Sequence, residues 1–184
     1  MKKLKHICRL MAGRHFRTHP EGTAFYLKVT DFDQDFQLKG DIEPSILEEK
    51  QYMKFWLGTG DMMVVIKGPN YFAHVYKNAV HPAIASSAFA TLKELDVAVL
   101  LPEYLAWFIN HSRTQAQLKA SAVGTNIPSI SLKTLGELEI PLPPMERQKN
   151  IVNLDSLFRK ERRLRGQLSS LKETLFKEQL YKTL

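Results

Sequence analysis

Between residues 24 and 90 the apolar positions come in short runs separated by turn formers, and from residue 101 they take up helical spacing. The segment A-F-Y-L-K-V-T at 24–30 has the composition of a strand. Residues 42–49, which follow Asp41 and include Pro44, fit a short helix. Gly58 to Asp61 make a turn, and the continuous run M-M-V-V-I at 62–66 fits a strand buried on both faces. K-G-P-N at 67–70 reads as a turn and Y-F-A-H-V-Y at 71–76 as the returning strand, the clearest hairpin in the chain. Residues 80–90 predict a further strand. Residues 1–10, with Leu4, Ile7, Cys8 and Leu10 among lysines, fit either a short helix or an edge strand.

Leu105, Phe108, Ile109 and Ser112 share a face with Ala116, so residues 101–120 predict one helix, with Pro102 in its first turn. Gly124, Asn126 and Pro128 set a loop, and Ser131 can cap a short turn up to Leu135. A strand at 137–142 runs into Pro143 and Pro144, which cannot continue it and suit the start of a helix. From Glu146 to Tyr181 there is no proline and a single glycine. Apolar residues fall at Ile151, Leu154, Leu157 and Phe158, and then at Leu164, Leu168, Leu171 and Leu175 with the four–three–four spacing of a heptad seam. Glu161 and Glu178 extend that seam as polar positions. A helix of this length reaches roughly 50 Å. It cannot bury its seam on so small a head, and it needs a second helix.

Length and composition change this picture little. A chain of 184 residues, 44% apolar and 24% charged, suits one soluble domain with an appendage or two small domains. Cys8 is the single cysteine, which excludes an intrachain disulfide and a cysteine-rich zinc site, and a cytoplasmic chain is expected. No apolar run approaches the roughly 20 residues of a membrane span, and no apolar segment follows the charged N-terminus as in a signal peptide. Charge distribution says more. The net charge is +7; residues 1–17 hold six Lys/Arg and no acid, residues 18–144 hold ten basic and fourteen acidic residues, and residues 145–184 hold ten basic and five acidic. Basic ends of this kind attract polyanions or are plain solvated surface.

The candidate chemistry is that of binding. Arg14, His15, Arg17 and His19 lie in a polar loop with no carboxylate before Glu21. The hairpin tip presents Lys67 and Asn70 with Tyr71 and Lys77 nearby; lysine reads guanine and asparagine reads adenine in a major groove. Arg159, Lys160, Arg162, Arg163 and Arg165 cluster on the long helix, facing either a polyanion or solvent. Asp31, Asp33 and Asp35 alternate as in a calcium loop but lack its glycine and terminal glutamate, so a solvated turn is expected. His74 and His81 are isolated, which makes them structural histidines rather than metal ligands. No phosphate-binding glycine loop and no Cys–His pair occurs.

G-T-N-I-P-S-I-S-L-K-T-L-G-E-L-E-I-P-L-P-P-M-E-R-Q-K-N-I, residues 124–151, resembles the end of a target recognition domain in the specificity subunit of type I restriction–modification systems. Arg147 stands where a second acidic residue is common in that family. L-G-T-G-D-M-M-V at 57–64 is similar to the family's glycine–aspartate turn, and P-E-Y-L at 102–105 to its helix start. Family members usually carry two recognition domains and two helical spacers, so this chain resembles a half-size subunit.

The resemblance implies an α+β chain. A globular target recognition domain over residues 1–143, with a mixed-sheet or barrel-like core and short helices, would be followed over 144–184 by a helical spacer that pairs as an antiparallel coiled coil. It implies a non-catalytic subunit that reads half of a bipartite site in double-stranded DNA, forms a homodimer or pairs with another half-subunit, and docks methyltransferase and restriction subunits. S-adenosylmethionine and ATP would then belong to those partners and no cofactor to this chain. Arg14, Arg17, Lys67, Asn70, Tyr71, Lys77, Thr125 and Asn126 become the expected DNA contacts. Ile151, Leu154, Phe158, Leu164, Leu168, Leu171 and Leu175 become the expected dimer contacts. A coiled-coil adaptor with a protein-binding head is the alternative; a hydrolase using Asp31 and Asp33 lacks both a nearby histidine and an apolar setting.

Overall fold

Met62 to Ile66 form an unbroken apolar run because both faces of the strand they build are covered. The structure, a computed structural model, describes residues 1–77 and 82–183. Among these the strands are β1 (Lys2–Lys3), β2 (Arg9–Ala12), β3 (Phe25–Leu27), β4 (Met62–Val65), β5 (Ala73–Val75), β6 (Ala83–Ala85), β7 (Phe89–Lys93) and β8 (Glu139–Ile140). The helices are α1 (Pro102–Asn110), α2 (Ser112–Ala120), α3 (Leu132–Gly136) and α4 (Met145–Tyr181), and 3-10 turns cover Leu4–His6, Val29–Asp31 and Lys50–Phe55.

The main sheet is antiparallel, in the order β2-β7-β4-β5. Alternate side chains leave β4 on opposite faces. Met62, Val64 and Ile66 join Leu105, Ile109, Leu118 and Leu135 beneath the helices, while Met63 and Val65 join Leu27, Phe72, Ala83 and Phe89 on the other side. There the parallel pair β3–β6 forms a second, smaller layer. A third cluster of Phe16, Tyr26, Ile46, Phe55 and Ile84 lies under the loops. The core is thus mixed, and no closed barrel forms among the described residues.

Several elements depart from the sequence expectation. The region 80–90 holds two strands with a turn between them rather than one; its residues 80 and 81, and with them His81, lie outside the described residues. Residues 42–49 are not helical: Ile46 is bridged to Ala24, and a 3-10 turn starts only at Lys50. Residues 1–10 are both strand and 3-10 turn, and β1 pairs with β8. The helix expected over 101–120 is broken at His111, whose backbone is extended (ψ 139°) and whose Nδ1 accepts the Arg113 N–H at 3.2 Å, so that the residue caps α2.

The hairpin, the cap and the elbow follow expectation. Asp61 closes the turn before β4, accepting the Gly58 N–H at 2.9 Å, and Lys93 of β7 pairs with it at 2.8 Å. Ser131 caps α3 through the Thr134 N–H at 3.0 Å. After Pro143 and Pro144, α4 runs for 37 residues, about 55 Å at 1.5 Å per residue.

Candidate nucleic-acid interface

The antiparallel order of the main sheet brings four strand ends, and with them three connections, to one end of it. At that end β2 finishes, β7 begins, β4 finishes and β5 begins. The polar loop after β2 leaves from Gly13, whose N–H donates to Phe89 O at 2.9 Å. A Cβ at Gly13 would stand 2.1 Å from Ser86 O, so only glycine lets the chain cross the turn before β7. The hairpin tip 67–70 joins the loop 123–129 directly: Gly68 N–H donates to Pro128 O at 2.9 Å, and Lys67 is bridged to Ser129. Two loops more than fifty residues apart in the chain are therefore neighbours, and Lys67, Asn70, Thr125 and Asn126, which they carry, are exposed.

This end carries exposed cations that form no ion pair among the described residues. Residues 1–20, 62–93 and 104–136 contain no Asp or Glu; Glu21 lies in the loop after β2, and Glu48 and Glu49 just before the Lys50–Phe55 turn. The net negative balance of residues 18–144 conceals this zoning. Arg14, Arg17 and Lys67 are exposed and make no ion pair among the described residues. The Arg14 guanidinium lies 5.5 Å from the centre of the Phe55 ring, and Lys54 lies over the same ring at 5.2 Å. An aromatic face orients such cations without neutralising them.

Two of the expected contacts are elsewhere. Tyr71 is 1% exposed and packs in the core under α1 and α2, so it is not available to a ligand at the tip. A side chain at the first position after a turn alternates in or out with the pleat, and here the inward position falls on Tyr71. Lys77 follows β5 at the opposite end of the sheet, where it pairs with Glu103 at 2.8 Å. The carboxyl of Glu103 is pulled below its ordinary range by Lys77 and its own backbone N–H, against the burial that raises it.

The aspartates of the 31–35 segment have structural tasks. Asp31 accepts the Lys28 N–H at 2.7 Å, Asp33 accepts the N–H groups of Asp35 and Gln37 at 2.8 Å, and Asp35 pairs with Arg162 of α4. His74 Nδ1 lies 2.9 Å from Phe36 O, and burial holds the imidazole below its ordinary pKa. Among the described residues no group of His, Cys, Asp or Glu could hold a metal ion, and no helix is long and apolar enough to cross a membrane.

The arm presents two opposite faces. Gln148, fully buried, accepts the Leu101 N–H at 2.9 Å and donates to Val99 O and Pro143 O at 2.8 and 2.9 Å. Ile151 and Val152 pack on the head's own core. Ile151 therefore docks the arm and does not belong to the seam. Leu164, Leu168, Leu171 and Leu175 are 52–69% exposed. At about 100° per residue they share a narrow stripe with Leu157, nearly opposite Gln148 and Val152. Leu154 and Phe158, also exposed, lie to one side of that stripe. Of the basic cluster, Arg159 and Arg165 pair with Asp155 and Glu161 one turn away, at 2.6 and 2.7 Å.

Sequence reading missed Gln148 as a buried anchor, Lys54 as a cation of the interface end, and the acid-free runs. The last were visible in the sequence; the first two needed the contacts.

The chain matches the family described as type I restriction modification DNA specificity domain over residues 1–170. It is similar in fold to the S subunit of a type I restriction-modification system from M. genitalium, with 19% identity, a TM-score of 0.60, and coverage of 86% of this chain and 38% of that one. The HsdS subunit from Thermoanaerobacter tengcongensis gives 20% identity, a TM-score of 0.59 and coverage of 86% and 36%. A chain from a structure described as concerning complex assembly and conformational transition of the type I R-M system gives 20% identity, a TM-score of 0.64 and coverage of 86% and 37%. The chain thus spans less than two fifths of these solved chains. A comparison with curated proteins returned no match.

Proposed function

The chain belongs to the family of type I restriction modification DNA specificity domains, and on that premise we propose that it reads one half of a bipartite target in double-stranded DNA. The observation that carries this reading is the end of the main sheet where the loop after Gly13, with Arg14 and Arg17 free of ion pairs among the described residues, the acid-free hairpin tip and the acid-free 123–129 loop converge. Unpaired cations there meet phosphates, and Asn70, Thr125 and Asn126 reach base edges. The head acts over residues 1–143 and the spacer over 144–184. The exposed leucine seam pairs with the seam of a second copy, antiparallel, which holds two heads a fixed distance apart. Two-fold symmetry then makes the target palindromic with a fixed gap.

The chain supplies recognition and spacing without chemistry of its own, since its alternating aspartates serve as turn acceptors and an ion-pair partner. A methyltransferase subunit brings S-adenosylmethionine and extrudes an adenine for methylation, and a restriction subunit brings ATP hydrolysis. The test is to purify the chain with its methyltransferase subunit, map the methylated adenines, and follow duplex binding between about 50 and about 200 mM salt. Two methylated half-sites at constant spacing, with affinity falling steeply over that range, are expected. Binding indifferent to salt, or methylation without a fixed gap, rules the reading out. Lys67→Ala with Asn70→Ala should relax target choice and leave dimerisation intact.

A further inference from the structure

The 123–129 loop combines apolar exposure with rigidity. Val123 and Ile127 are 76% and 66% exposed. The loop closes on itself through a reciprocal pair, Val123 N–H to Ser129 O and Ser129 N–H to Val123 O, both 2.9 Å. It is fixed to the sheet by Gly68 N–H to Pro128 O and by Ile130 N–H to Ile66 O at 2.9 and 2.8 Å. Gly124 holds φ +113°, and a Cβ there would stand 2.9 Å from Ile127 O, so the tip is compatible with glycine alone. An isoleucine on a flexible loop could fold back onto apolar neighbours. Here the backbone bonds hold Ile127 out in water, next in sequence to Thr125 and Asn126 and on the loop that is bridged to Lys67 through Ser129.

We propose that Ile127 is an apolar base contact that sets target preference, seated in the groove while Lys67 holds the adjacent phosphate. The inference rests on the DNA-recognition reading above and deepens it. Phosphates are strongly hydrated and offer an aliphatic group nothing. The apolar surface of a duplex lies inside its grooves, as thymine methyl groups and the faces of base steps. The absence of acid from residues 104–136 and 62–93 lets that loop approach a polyanion without repulsion, which selects a nucleic acid over an apolar protein groove as the occupant.

The experiment uses the complex of the full chain with its methyltransferase subunit, a duplex carrying the mapped target, and a scrambled duplex of equal length. Ile127→Ser is expected to weaken binding to the target about tenfold while leaving scrambled-duplex binding and the salt slope unchanged. Lys67→Ala is expected to weaken both duplexes and to reduce the salt slope by about one. Ile127→Val, which keeps the apolar surface, should stay near the wild-type preference. The inference is overturned if Ile127→Ser binds the target like wild type, or if it loses target and scrambled binding equally. If the wild-type complex itself does not discriminate the two duplexes, the recognition reading falls with it; discrimination that survives Ile127→Ser removes this inference alone.

Discussion

Asn110 gives Ala73 the strand partner that β5 otherwise lacks: its Oδ1 accepts the Ala73 N–H at 2.7 Å and its Nδ2 donates to Ala73 O at 2.9 Å. Gln115 does the same for Tyr71, accepting at 3.3 Å and donating at 2.8 Å. Two side-chain amides from α1 and α2 thus close the outer edge of the main sheet, which would otherwise be open to another strand. Asn110→Ala should lower unfolding free energy by about 1–3 kcal/mol, because two half-buried backbone groups lose their partners. Urea denaturation measures it, and the outcome that contradicts it is an unchanged midpoint.

Gln148 ties three backbone groups at the root of the arm. Gln148→Leu keeps its bulk and leaves Leu101 N–H, Val99 O and Pro143 O unpaired in a buried site, at a cost of about 3 kcal/mol. Amide exchange across residues 145–155 should quicken in this variant. Exchange as slow as in wild type would show that the elbow is held by other contacts.

The Asp35–Arg162 pair links the 31–37 loop to the arm farther along, on a surface that water reaches. Arg162→Ala should cost less than about 1 kcal/mol, since exposed ion pairs contribute little. The arm should stay docked through Gln148, Ile151 and Val152. A loss comparable to that of Gln148→Leu, read in the same denaturation assay, would reverse that ranking.

His74 makes stability depend on mild acid. Burial lowers its pKa below 6.5 and Lys77 acts in the same direction, against the Phe36 carbonyl and Asp33. The folded chain therefore binds fewer protons than the unfolded chain as pH falls. The contribution is intact above the unfolded value of 6.5 and is lost as pH drops through it toward the lower folded value. Thermal midpoints taken from about pH 7.5 to about pH 5 should decline, and His74→Gln should flatten that decline. An equal slope in both proteins would assign the effect to other groups.

The seam decides association. Leu168→Glu with Leu171→Glu places charges on the exposed stripe, far from the docking face. Light scattering is expected to register a dimer for the wild type and a monomer for this variant, with an unchanged thermal midpoint for the head. A variant that still forms the dimer would mean that copies pair through another surface.

The sequence by itself determined the elements whose cause is local. Apolar character at every position from Met62 to Ile66 marks a strand covered on both faces, K-G-P-N marks a reversal, and Leu164 to Leu175 mark a seam that no small head can bury. The motif over residues 124–151 carried the family. Tertiary structure alone decided which loops meet. Lys67 and Ser129 are bridged because β4 finishes, and the antiparallel segment before α3 begins, at the same end of the sheet, a relation that no local period encodes. It also decided that Tyr71 is core, that Ile151 docks rather than dimerises, and that Gln148 is an anchor. Burial depends on what distant residues cover a side chain, and polar residues read alike in sequence whether they face water or satisfy a buried backbone.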